Sequence, residues 1–310
     1  MLANNKQLTV KRLWANKIGK GSANQFLRLT PVVSDNELFV SDAWGDLYDV
    51  TLGGKVLWHK KLLAAVTSGL ATDQHRIYMG TDSAQVLALN EAFRNVQWSG
   101  LLSNAVLATP RVSSGVVYVK TVNDYVYALN AMTGHLLWSY HQDAPSLVLR
   151  LGSSPQIVGS KIIAGLANGR VIALSRSQGS LIWQSVLAQG QGDSVVSNMV
   201  DVDANIVVDN GRVYAASYQG AIAALRLSNG KVLWRHPFSS FSGLALSHGT
   251  LIATDAKGDA VAYDTRSGIN IWTTRLSPNS LLTKPVMFGS IAVVASDKGW
   301  VYFISSQGRL

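Results

Sequence analysis

Cysteine is absent from the 310-residue sequence, which excludes disulfides, thiolate metal sites and cysteine nucleophiles. Charge is sparse: Asp, Glu, Lys and Arg make up 15% of the residues, against 47% hydrophobic residues. That balance is the opposite of a disordered chain and can bury a large core. No apolar run reaches the roughly eighteen residues of a membrane-crossing helix. Proline is scarce, with 7 residues against 27 glycines, a ratio that suits a chain of strands joined by tight turns.

Catalytic signatures are missing as well. The six histidines, His59, His75, His135, His141, His236 and His248, show no metal-ligand spacing, and surface or turn positions are expected for them. There is no Walker loop, no Gly-x-Ser-x-Gly elbow and no His-Glu-x-x-His segment. Gly53-Gly54 joins two strand-like runs and precedes no helix, so it is not a phosphate cradle. The formal net charge is +9, which would suit an anionic partner, but the basic residues are scattered and form no run. A soluble basic protein with no nucleic-acid partner is the expectation. The opening Met1-Leu2-Ala3-Asn4-Asn5-Lys6 lacks the apolar core of a signal peptide. Two readings follow: a cytosolic protein, or one whose export segment has been removed.

What the sequence does have is a repeat. Tryptophan recurs at Trp14, Trp58, Trp98, Trp138, Trp183, Trp234 and Trp272, at intervals of 44, 40, 40, 45, 51 and 38 residues. Only Trp44 and Trp300 fall outside the series. Glycine stands four residues ahead of the later tryptophans, at Gly134, Gly179, Gly230 and Gly268. One copy departs from this, with Arg94 in place of the glycine before Trp98. Within each unit, short apolar and β-branched runs alternate with Gly or Asn-Asp turns, which argues four strands and no helix. In the third unit these strands are expected over 108–112, 116–120, 125–129 and 135–140.

A four-strand sheet of about forty residues cannot bury both faces alone. Stacking such sheets radially solves this, and the expected fold is all-β: a β-propeller of four-stranded antiparallel blades with seven complete repeats. The tryptophans are expected to pack between blades. Residues 1–9 would form an N-terminal extension and 10–310 a single domain. The last unit supplies three strands, near 283–287, 291–295 and 301–305, and its fourth is expected from Leu13-Trp14-Ala15. Gly308-Arg309-Leu310 reads as the start of a further outer strand, so an eighth unit is the alternative.

The two longest intervals are adjacent. Both insertions, 141–153 and 188–205, follow a Trp strand and precede the next blade's inner strand, so they should share one rim. The first holds Pro145-Ser146-Leu147-Val148-Leu149-Arg150. Three large aliphatic residues in a connection are either buried beneath it or used for contact, and both readings stand for Leu147 and Leu149. Arg150 suits a charge-assisted hydrogen bond to a partner. In the second loop, Asp201-Val202-Asp203 can place both carboxylates on one side. Two carboxylates alone make a poor cation site, and a charged partner patch is the better expectation.

The pattern Ala-x-Asx-x-x-x-Gly-x-x-x-Trp resembles the pyrroloquinoline-quinone-type propeller repeats, from Trp14 to Ser305. The Leu-x-Leu-Arg and Asp-x-Asp segments resemble, within that group, the lipoproteins of the bacterial outer-membrane β-barrel assembly machinery. The resemblance implies a non-enzymatic periplasmic scaffold without cofactor or metal, lipid-anchored at the outer membrane, with an eight-bladed ring. It also implies BamA, through its POTRA domains, as partner, with Leu147, Leu149, Arg150, Asp201 and Asp203 as partner-binding residues. Unfolded outer-membrane proteins are a further implied partner. The competing readings are a quinone-dependent dehydrogenase, which the lack of cysteine and of central acidic clusters opposes, and a generic peptide-binding propeller.

Overall fold

The computed structural model describes residues 10–310 apart from the single positions 24, 74, 93, 151, 191 and 241. The N-terminal extension expected over 1–9 lies outside the described residues. Twenty-seven strands form seven antiparallel sheets arranged as the blades of a propeller, at 32–61, 71–101, 111–140, 156–186, 207–238, 244–275 and 286–304. In the third blade the strands are Arg111–Ser113, Val116–Lys120, Val126–Asn130 and Leu136–Tyr140, ordered from the axis outward. A 3-10 turn at Val196–Asn198 is the one helical element among the described residues.

The strands differ by position for a physical reason. The second and third strands of a blade are covered on both faces by neighbouring blades, so they read as continuous apolar runs such as Ile162 to Gly165 and Val171 to Leu174. The outer strands alternate between exposed and partly covered residues, as in Leu181–Val186, because only one face meets a blade. The core is therefore not central. It is divided into apolar clusters that fill each junction between blades 1–2 and blades 6–7.

The repeated tryptophan and glycine meet across these junctions. Each tryptophan of the series except Trp58 stacks on the glycine of the next blade, not on the glycine that precedes it in sequence. A Cβ on Gly134 would lie 2.6 Å from Trp98, and one on Gly179, Gly230 or Gly268 would crowd Trp138, Trp183 or Trp234 in the same way. The indole Nε1 then donates to a carbonyl of the same turn: Trp98 to Ala131, Trp138 to Arg176, Trp183 to Leu227 and Trp234 to Thr265, each at 3.0 Å. These glycines also have positive φ, near +72°, a backbone state that costs a side chain energy.

The irregular copy keeps this contact by other means. Arg94, at φ +55°, holds its guanidinium 5.4 Å from the Trp58 ring centroid and pairs with the buried Asp49 at 2.6 Å and with Glu37 at 3.6 Å. A cation over the indole face replaces the bare glycine backbone.

The seventh sheet has three strands, Val286–Phe288, Ile291–Ala295 and Val301–Ile304. The expectation that Leu13-Trp14-Ala15 completes it is not met, since no strand is formed over the described residues before Val32. Trp14 nevertheless docks on blade 1 as the other tryptophans dock on their neighbours: its Nε1 donates to the Leu52 carbonyl at 2.8 Å and its ring covers Gly54. The indole-on-glycine contact thus forms without a backbone ladder. Gly308 lies against Trp272, so the tail expected to open another blade is the outer turn of blade 7 itself.

Candidate partner-binding site

The connections 141–155 and 187–206 leave blades 3 and 4 on the same rim, as their position between an outer and the next inner strand implies, and they touch. Asp201 Oδ1 accepts the Leu149 N–H at 3.1 Å, and Asn205 Oδ1 accepts the Ser154 N–H at 3.3 Å. Between the two aspartates Val202 turns inward, fully buried in the cluster between blades 4 and 5. Its N–H donates to the Leu166 carbonyl at 3.0 Å. Gly165 makes room for this close approach, because a Cβ there would collide with Val202.

The five expected contact residues separate into two groups. Leu147 is 41% exposed, and Arg150 is exposed, with a positive φ of 53°. Among the described residues nothing hydrogen-bonds to or ion-pairs with the Arg150 side chain. Leu149 is half-buried. Leu147 is thus not tucked beneath the connection, and Leu149 is partly covered by it. Asp201 and Asp203 are only 1% and 4% exposed, so they do not form a surface patch. Asp201 holds the first loop from beneath through the Leu149 N–H.

Burial dominates the electrostatics there. Removal from water, reinforced by the neighbouring Asp203, pushes the Asp201 carboxyl up to about 7, although the Leu149 N–H favours its charged form. Its Oδ2 has no partner among the described residues. Below the loops lies an ion pair the sequence reading missed: Lys120 Nζ and Asp124 Oδ1, 3.0 Å apart and both almost wholly buried. Burial works to lower the Lys120 pKa, yet Asp124, Asp203 and Asp201 together leave it raised. Asp124 Oδ2 also accepts the Ala167 N–H at 2.8 Å. A lysine ending the otherwise apolar strand Val116–Lys120 was the available signal.

A second missed residue is Arg28, from the segment before blade 1. Its guanidinium crosses the ring to the carbonyls of Asp203, at 2.8 Å, and Gly152, at 3.3 Å, and so ties both loops to the opposite side of the propeller. No signal in the repeat marks it, because the contact spans 175 residues. Among the described residues no His, Asp or Glu side chains group as a metal site.

The rim presents exposed Leu147 and Arg150 on the first loop and exposed Val195 and Val196 on the second. Comparison with known proteins assigns the family. A family model described as outer membrane protein assembly factor BamB matches residues 45–274. The chain belongs to the BamB family. The BamB of Salmonella typhimurium is 31% identical over 98% of this chain and 80% of its own length. The solved BamB structure from Moraxella catarrhalis has a TM-score of 0.85 at 24% identity, covering 95% of this chain and 89% of that one. A europium-containing methanol dehydrogenase shares the fold, with a TM-score of 0.77 at 13% identity over 90% of this chain and 76% of its own. Fold alone would therefore not separate assembly factor from dehydrogenase. The BamB match does, and as a member of a family of assembly factors the chain is not an enzyme.

Proposed function

We propose that this BamB-family chain is a scaffold subunit of the outer-membrane β-barrel assembly complex that docks on the POTRA domains of BamA through the 147–150 loop. The family name, outer membrane protein assembly factor, supports work at the outer membrane; in this reading the protein acts on the periplasmic side and is held there by a lipid anchor. The observation that carries the docking reading is an exposed Leu147 beside an Arg150 whose side chain has no partner among the described residues, on a loop pinned by Asp201. An apolar anchor beside a guanidinium is the residue chemistry that concentrates binding energy at interfaces. Asp201 and Asp203 act as positioning residues in this reading, holding the loop in shape.

The test is co-purification with BamA of a double variant, Leu147→Ala with Arg150→Ala, with the fold checked by circular dichroism. Loss of BamA from the pull-down is expected, since truncating a well-placed anchor commonly costs about 2 kcal/mol or more. Undiminished recovery of BamA would place the docking surface elsewhere on the propeller.

A further inference from the structure

The mouth of the central channel carries a second group of side chains that the docking reading does not use. Thr30, Thr109, Ser154, Asn205, Gly243 and Lys284 occupy the same place in their blades, four residues before the last residue of each inner strand. They face the axis. A Cβ on Gly243 would lie 2.8 Å from the Lys284 Cβ and 3.4 Å from the Asn205 Cβ, so three blades converge at this layer. Two residues further along the inner strand of blade 3, alternation turns Arg111 in the same direction. Arg28 completes the group as it crosses the ring toward Asp203 and Gly152.

Three cations from blades 1, 3 and 7 thus meet at one mouth, amid hydroxyl and amide side chains. The side chains of Arg111 and Lys284 have no hydrogen bond or ion pair among the described residues. The Arg111 Nε is sealed from solvent without an acceptor, a rare condition for a buried donor. Burial, then the charges of Arg111 and Arg28, hold the Lys284 pKa below its ordinary value, and burial lowers that of Arg111. Asp203 acts on Arg28 against the effect of its burial and acts on Lys120 as well. Among the described residues no carboxylate pairs with Arg111 or Lys284.

We propose that this mouth is an anion-binding site for a multivalent oxyanion, with carboxylate or phosphate oxygens taken by Arg111 and Lys284. A guanidinium fork and an ammonium, partly withdrawn from water, are suited to such oxygens. The site opens on the same rim as the 147–150 loop but is formed by different residues, so it stands or falls separately from docking on BamA.

Isothermal titration calorimetry at matched ionic strength tests this with three probes: citrate, pyrophosphate and a hexaglutamate peptide blocked at both ends. Saturable one-to-one binding of at least one probe is expected, weakened tenfold or more by Arg111→Gln and by Lys284→Met, and unchanged by Lys55→Met on an exposed turn. Binding of citrate or pyrophosphate alone assigns the site to a small free anion. Tighter binding of the peptide assigns it to an acidic segment. A melting curve guards against misfolded variants, and without ligand Lys284→Met should melt no lower than the wild type because it removes a repelled charge. No saturable binding of any probe, or binding that survives both substitutions, would overturn the proposal.

Discussion

The Asp201 carboxylate, buried beneath the rim, accepts the backbone N–H of Leu149 at 3.1 Å and so fixes the loop that carries Leu147 and Arg150. Two connections 52 residues apart in sequence are thereby made into one surface. The bond uses a side chain whose charged form is disfavoured where it sits, because burial and Asp203 raise its pKa to about 7. Shape of the 147–150 loop and protonation of a buried acid are therefore linked.

That linkage has a definite sign. The folded protein holds the Asp201 proton up to about pH 7, while the unfolded chain releases it near the ordinary value of 3.8. Between those values the folded state binds more protons, so this group's contribution is most favourable at low pH and is lost as pH rises through the window. Between pH 5 and pH 8 the loss is about 3 kcal/mol at most. Asp201→Asn keeps an oxygen for the Leu149 N–H and cannot ionise. Denaturant unfolding at the two pH values should show the wild type losing stability relative to this variant, and parallel pH profiles would refute the linkage. Asp201→Ala also removes the acceptor, and it should weaken recovery of BamA without any change at Leu147 or Arg150.

Arg94 is expected to be indispensable where a repeat comparison would mark it as a defect. Its guanidinium compensates Asp49, which is fully buried, and covers Trp58. Removing one partner of a buried pair leaves an uncompensated charge and typically costs about 3–5 kcal/mol. Arg94→Gly restores the repeat consensus and relieves the positive φ, but it should still destabilise by an amount in that range. A urea midpoint for Arg94→Gly at or above the wild-type value would show that backbone relief outweighs the pair.

The propeller was legible because its signals are local and repeated: a tryptophan every forty or so residues, glycine four before it, and strands of period two. The shared rim was legible too, since the spacing marked the two long connections and their position, after a Trp strand and before the next inner strand, put both on one side. What could not be read was which residues of the loops face out. Asp201 and Asp203 look like surface charge in sequence, yet Val202 between them is drawn into the core and takes both with it. Arg28 was missed because its partners lie across the ring, and a repeat pattern describes one blade at a time. Lys120 and Asp124 pair within one blade, four residues apart, and the lysine that ends an apolar strand was the local sign of a buried charge. The failed expectation at residues 13–15 is instructive in another way, because the tryptophan contact was anticipated correctly and the strand pairing was inferred from it. The contact at Trp14 does not need the pairing.

The ion pair of Lys120 and Asp124 offers a test of how the loops are supported. Lys120→Met leaves Asp124 buried with only the Ala167 N–H to stabilise its charge, and should cost about 3 kcal/mol or more. Adding Asp124→Asn removes the stranded charge while keeping an acceptor for that N–H. The double variant should therefore be more stable than Lys120→Met alone, a non-additive result that a thermodynamic cycle reads directly. Strict additivity would mean that the two charges do not sense each other.

The contact between blades can be weighed with two glycines of nearly identical backbone. Gly115 and Gly134 have φ of +73° and +72°. A Cβ on Gly115 meets nothing within 4 Å, whereas one on Gly134 would lie 2.6 Å from the Trp98 ring. Gly115→Ala bears only the left-handed conformation, about 1 kcal/mol. Gly134→Ala bears the same strain and must also push the indole away, lengthening its 3.0 Å bond to the Ala131 carbonyl and opening the junction between blades 2 and 3. A further 1–2 kcal/mol, roughly, is expected for that hydrogen bond and the lost packing. Denaturant unfolding of the two variants, followed by tryptophan fluorescence, isolates the difference, since backbone strain cancels. Equal destabilisation would mean that the indole yields without cost, and the tryptophan–glycine contact would then be a consequence of blade packing and not one of its causes.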